Sequence, residues 1–262
     1  MTDPDSGGDI RLVDEIPDTP AAFRARHAVL ARGYGGADDP ADPDRVQAMQ
    51  MVLHLPKVDP PARSALLAAA ASAVVALCLD PRVGHGGPWE QRFLAWAGAR
   101  IRKVARRARG AQWQAATEVD GVTVEVDGAA ARAYVPGPVG EVDPRIRKLQ
   151  IGGTDLAHDE PGPPDPDLPV LWVNSALGMS LGKSAAQVGH ASMLLAGAMS
   201  AEHALRWAGA GFRCSVREAD RDRWRALTAL VDAGAAIAVR DAGFTEIAPG
   251  SLTVIGVPAD TW

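Results

Sequence analysis

The chain has little cysteine. Its two residues, Cys78 and Cys214, lie far apart and neither has a CxxC partner. This excludes a disulfide framework and a cysteine zinc site, and it predicts two buried thiols in a reducing compartment. Long apolar runs are also missing. The most apolar stretch, residues 64–79, is rich in alanine and falls short of the ~20 residues of a membrane span, so it reads as a buried helix. The opening MTDPDSGGDI is acidic and has no apolar core of a signal peptide. A cytoplasmic protein without a membrane partner is the expectation. There is no excess of positive charge: 27 Lys and Arg stand against 32 Asp and Glu, for a net charge of -5. Any grip on a nucleic acid must then come from a local patch. His27, His54, His85, His158 and His203 show no metal-ligand spacing, so no metal site is expected.

What is present divides the chain. Length leaves room for two domains. Helices are expected over 20–32, 45–55, 61–79 and 89–109, and Trp89, Trp96 and Trp113 read as core. Residues 122–126 and 129–135 alternate as strands about the turn signal Asp127-Gly128, and 147–151 reads as a further short strand. Residues 1–156 thus read as a mostly helical domain with a small sheet. Prolines and acids dominate 157–169, which reads as a linker. Residues 170–262 read as a β-α-α-β-α-β-β domain. Its crossover helices imply a mixed four-stranded sheet in a three-layer α/β fold.

Within that last region one helix carries a polar stripe. At 100° per residue, Gln187 lies about 40° from Lys183, and His190 about 20° to the other side. Such a stripe is ordinarily a wet face. Lys183, however, stands in the first turn, where the helix dipole disfavours a cation. An anion held by the loop 178–182, with Gly182 and the first-turn N–H groups, would account for it. Asp241 directly follows a strand, and Gly243 and Pro249-Gly250 turn the chain there. Carboxyl ends of strands face the ligand crevice of an open α/β sheet. Asp241 and Thr245 are therefore expected to meet Lys183 and His190 across it.

The run GMSLGKSAAQVGHAS, 178–192, resembles the helix-opening motif of type-2 peptidyl-tRNA hydrolases, and DAGFTEIAPGSLTVIGVP, 241–258, resembles that family's second motif. Spacing and element order fit as well, over roughly the last third of the chain. The resemblance implies a mixed four-stranded sheet with flanking helices, a homodimer, no metal or organic cofactor, and cleavage of the ester joining a peptide to tRNA. By position it assigns function to Lys183, Gln187, His190, Asp241 and Thr245. No serine or cysteine stands beside a base, so attack by water is the simpler scheme. Asp241, or His190 oriented by it, would take the proton. Lys183 with backbone N–H groups would stabilise an oxyanion or phosphate, and Gln187 and Thr245 would position substrate.

The chain also departs from the family. Asn174, Ala176, Ser180, Leu181 and Phe244 stand where the family commonly has charged residues or glycine. Residues 170–262 hold eight basic and eight acidic side chains, which predicts weak or relocated tRNA binding. The basic run 99–110 is a candidate source of phosphate contacts, with Arg106 and Arg107 as its centre; a solvated helix end is the alternative. Two rival functions remain. The stretch GMSLGKS resembles a phosphate-binding loop but is one residue short of GxxxxGK[ST]. A hydrolase-like domain that has lost activity and binds RNA or protein is the other.

Overall fold

The computed structural model describes residues 18–153, 155–241 and 247–259. Helix α1 (Pro20–Ala31) begins on a proline, with the Thr19 hydroxyl accepting from Ala22 N at 3.1 Å. Strand β1 (Gln47–His54) leads to α2 (Arg63–Cys78), α3 (Glu90–Ala97) and β2 (Arg102–Ala108). Then come α4 (Ala111–Thr117), β3 (Gly121–Val126), β4 (Ala129–Tyr134), the short β5 (Gly137–Pro138) and α5 (Pro144–Arg147). The C-terminal part runs β6 (Val170–Asn174), α6 (Leu181–Ala198), α7 (Ala201–Gly209), β7 (Ser215–Ala219), α8 (Arg221–Asp232), β8 (Ile237–Arg240) and β9 (Leu252–Val257).

The C-terminal order is the expected β-α-α-β-α-β-β, and the four strands form one mixed sheet in the order β7-β6-β9-β8. Strands β6 and β7 are parallel, while β9 runs antiparallel to both β6 and β8. Helix α6 covers one face, and α8 covers the other through Leu227, Trp224, Trp172 and Ile255. The expected α/β class and three layers are thus present.

The N-terminal half carries more sheet than expected. Residues 47–54, expected as helix, form a central strand paired with β2 on one side and β4 on the other. The helix expected over 89–109 stops at Gly98. The chain turns through Ile101 at φ 46° and continues as β2. Met, Gln, Ala, Arg and Lys favour helix locally, but pairing on the sheet outweighs that preference. The strand expected over 147–151 is reduced to one bridge, Arg107 with Gln150, after α5. The resulting sheet has the order β2-β1-β4-β3, with β5 also on β1.

Helix α2 is apolar on every side because every side is covered. It lies between the first sheet and α6. Alanine makes close approach cheap, and so does Gly189 of α6, where an added Cβ would meet Val74 Cγ2 at 2.9 Å. The Ser192 hydroxyl donates across the seam to Ala71 O at 2.8 Å. One hydrophobic cluster runs through both sheets and both helices. The proline- and acid-rich stretch ties the halves further: the Ser64 amide donates to Asp159 Oδ1 at 2.9 Å, and Arg217 Nε to Gly162 O at 2.9 Å. Among the described residues no helix is long and apolar enough to cross a membrane.

Helix α1 closes the open flank of α6. The His27 ring nitrogen Nε2 lies 2.9 Å from Ala196 O, and a Cβ on Gly197 would fall 2.6 Å from Leu30 O. The Leu30 carbonyl, in the last turn of α1, already accepts from Gly33 N at 2.9 Å and cannot step aside without unwinding that turn. Gly197→Ala should therefore lower stability by about 1–3 kcal/mol, the usual cost of overpacking, seen as an earlier midpoint in chemical denaturation; an unchanged midpoint would mean that α1 is not seated there.

Candidate functional site

The site forms where β8 ends above the first turns of α6. Asp241 follows β8 directly, and its backbone is held twice: its amide donates to Ser251 O at 2.9 Å, and its carbonyl accepts from Gly250 N at 2.7 Å. Gly250 takes φ 80°, which the turn after Pro249 requires. This closure aims the Asp241 carboxylate at α6. Lys183 Nζ lies 2.6 Å from Asp241 Oδ1, and Gln187 Nε2 donates to the same oxygen at 3.1 Å. Thr253 of β9, fully buried, donates to Gln187 Oε1 at 2.6 Å and so fixes which end of the amide faces Asp241. Lys183, Gln187 and Asp241 are all largely buried, so this is a desolvated ion pair with a neutral donor beside it.

The lysine in the first turn of α6 is thereby explained by a carboxylate of the protein. The amides of that turn are partly used as well. The Lys183 amide donates to the Ser180 hydroxyl at 3.2 Å, and the Leu181 amide to Asp155 Oδ1 at 3.2 Å. Gly182 packs towards Ala105 and Ile151 of the N-terminal half. Thr245 and Phe244 lie outside the described residues.

His190 shares the stripe but not the Asp241 network. Its Nδ1 lies 3.0 Å from Nζ of Lys103, which reaches over from β2. Lys103 also lies 3.1 Å from the Met193 sulfur and 4.8 Å from the centre of the Trp96 ring. Burial, reinforced by the positive charges of Lys103 and Lys183, pushes the imidazole well below the usual histidine range. Burial lowers the Lys103 ammonium to about 7. His190 is therefore neutral across the physiological range.

Arg106 and Arg107, the centre of the basic run, are bonded to partners within the chain. Arg106 Nε donates to Gln50 Oε1 at 3.0 Å, and its Nη1 to Leu149 O at 2.9 Å and Arg147 O at 3.1 Å. Arg107 bonds the Gln150 side chain. Both pin the segment after α5 to β2. The positions that depart from the family's charges serve the fold. Asn174 accepts from the Ala176 amide and donates to Leu252 O, Ser180 caps α6, and Leu181 is buried. A cavity of 520 Å³ lined by Gln50, Arg92, Tyr134 and Arg145 opens on the far face of the first sheet, away from Asp241. Cys78 and Cys214 are free and buried, and burial raises both thiols to about 12. Among the described residues no cluster of three or more His, Cys, Asp or Glu could hold a metal.

Two members of the site lie outside the expected set. Thr253 was legible only as part of a strand. Lys103 stood in the basic run, but a helix there would have grouped it with Arg106 and Arg107 on one face, whereas strand β2 separates it from Arg106 and aims it at α6.

Residues 169–261 match the family model of peptidyl-tRNA hydrolase PTH2. No curated protein and no solved structure matches the chain.

Two measurements follow from the buried groups. Thr253→Val leaves Gln187 Oε1 without its donor, and unfolding free energy should fall by about 1–3 kcal/mol. For Lys103 the folded form loses its proton near pH 7, whereas an unfolded lysine keeps it to about 10.4. Between those values the unfolded chain binds the extra proton, so this group's contribution to stability rises with pH. The stability of Lys103→Met relative to wild type should then be highest below pH 7 and decline up to pH 10. A difference that stays flat would show that Lys103 titrates normally.

Proposed function

We propose that the chain hydrolyses the ester between a peptide and tRNA, in the cytoplasm, with water as the nucleophile. The observation that carries this reading is the convergence of Lys183 and Gln187 on one oxygen of Asp241 inside the region that matches the hydrolase family. The hydroxyls and thiols around the site support water over a covalent route. Ser184 accepts from Arg63, Ser192 donates to a backbone carbonyl, Thr253 is spent on Gln187, and both thiols stay protonated.

The roles follow from charge and reach. Asp241 takes the proton from the attacking water. Lys183 supplies the positive charge that meets the tetrahedral oxyanion, in a site where burial strengthens the interaction. Gln187, locked by Thr253, sets the direction of the carboxylate. His190, held neutral, is a poor base and acts as a hydrogen-bond donor to substrate. Thr245 is carried over from the resemblance as a substrate contact.

A second reading, a domain that binds without turnover, draws support from the hydrogen bonds that tie Arg106 and Arg107 to neighbouring groups of the chain and from the neutral Asn174, which leave fewer cations for tRNA phosphates. Release of peptide from a peptidyl-tRNA separates the two. Asp241→Asn and Lys183→Met should each lower kcat by at least about a hundredfold, the range of general acid–base and charge-stabilising groups. Wild-type protein that binds peptidyl-tRNA but leaves the ester intact would favour the second reading.

A further inference from the structure

The two halves of the chain have one topology. Strand orders β2-β1-β4-β3 and β7-β6-β9-β8 correspond strand for strand, each with a parallel first pair followed by two antiparallel pairs. The register corresponds too. Met51 pairs with Ala105 and Ala133, and Ala133 with Val122; Leu171 pairs with Val216 and Gly256, and Gly256 with Ile237.

Sequence follows the same correspondence. Trp96-Ala97-Gly98-Ala99 matches Trp207-Ala208-Gly209-Ala210, and at unchanged spacing Arg102, Arg106, Ala108 and Trp113 match Arg213, Arg217, Ala219 and Trp224. Both tryptophans are fully buried and donate from Nε1 to the carbonyl six residues on, Trp96 to Arg102 at 3.0 Å and Trp207 to Arg213 at 2.7 Å. Both connections turn through a non-glycine residue at positive φ, Ile101 at 46° and Phe212 at 54°. Helices α2 and α6 align through Ser64-Ala65 with Ser184-Ala185 and Ala71-Ser72 with Ala191-Ser192. A left-handed isoleucine and phenylalanine at one position are rare enough that chance convergence is a poor account.

The correspondence shows what the N-terminal half has lost. Arg63 stands for Lys183, Leu67 for Gln187 and Ala70 for His190. The two-residue turn Asp127-Gly128 stands where residues 241–251 carry Asp241. Arg63 no longer serves a site of its own: it is buried and donates to Met179 O at 3.1 Å and Ser184 Oγ at 3.2 Å in the other half. One position has moved the other way. Lys103 corresponds to Cys214, and each points from its own sheet to the opposite helix, Cys214 to Ser72 and Ala68 of α2, Lys103 to His190 of α6.

We propose that residues 47–134 are a second copy of the fold that has given up its own reactive set and serves the remaining site, with Lys103 as a positioning residue that fixes the tautomer of His190. Below about pH 7 Lys103 is an ammonium with donors only, so His190 Nδ1, 3.0 Å away, must accept there. A neutral ring then carries its proton on Nε2, and that N–H is the donor left to the imidazole. Among the described residues, the charged and titratable groups around the imidazole are Lys103 of β2 and Lys183 of its own helix, with Cys78 of α2 beside Lys103. The bearing of this tautomer on ester hydrolysis rests on the proposed function; the tautomer itself does not.

The test is long-range ¹H–¹⁵N NMR of His190 in the full chain at pH 6. The wild-type spectrum should show a protonated Nε2 and an unprotonated Nδ1, and a proton on Nδ1 would overturn the proposal without any variant. Lys103→Met should let the ring populate both tautomers and titrate closer to the ordinary histidine range; an unchanged His190 spectrum in the folded variant would equally overturn it. In the peptide-release assay the same variant should lower kcat about tenfold or more with KM within twofold. If wild-type protein releases no peptide, the proposed function fails while the NMR result still decides the role of Lys103.

Discussion

Helix α6 has almost no side left for water, and the rest of the structure answers to that constraint. Its own sheet takes one face, α2 a second, α1 a third, and β2 closes the remaining angle with Lys103. Only small residues permit so many neighbours, and Ala185, Gly189, Ala191, Ser192 and Gly197 supply them. The polar stripe survives because it has internal partners: Asp241 for Lys183 and Gln187, Lys103 for His190. Burial then does two things. It strengthens the Lys183–Asp241 pair, and it forbids a charge on His190, which already faces two cations.

This division explains why the residues of one stripe end in different chemical states. Lys183 and Gln187 lie under the loop that closes on Ser251 and Gly250, where a carboxylate is available. His190 lies two turns into the helix, against the other half of the molecule, where the available polar group is an ammonium. The same helix face therefore holds an ion pair at one end and a neutral donor at the other.

The C-terminal half was legible from sequence because local and tertiary signals agree there. Residues 252–257 and 201–209 read correctly from pattern alone, and the stripe of Lys183, Gln187 and His190 follows from helical geometry. In the N-terminal half they disagree. Gln47–His54 and Arg102–Ala108 are rich in helix formers, and only their pairing with each other and with β4 makes them strands. That misreading hid Lys103, since period-2 geometry is needed to send Lys103 and Arg106 to different faces. The duplication was in plain view as two Trp-Ala-Gly-Ala runs followed by matching arginines and tryptophans, but eroded similarity over one segment is a fainter signal than a glycine-bounded motif. Thr253 left no signal, because a buried threonine in a strand is ordinary until its partner is known.

The contrast between the turn Asp127-Gly128 and the loop 241–251 has a consequence in stoichiometry. A symmetric pair of such folds would offer two equivalent entrances and allow one to influence the other. Here the tight turn leaves one half without a rim on which to build an entrance. The chain therefore carries Lys183, Gln187 and Asp241 as a single set, and the half with the tight turn is free to change wherever its packing against α6 is preserved.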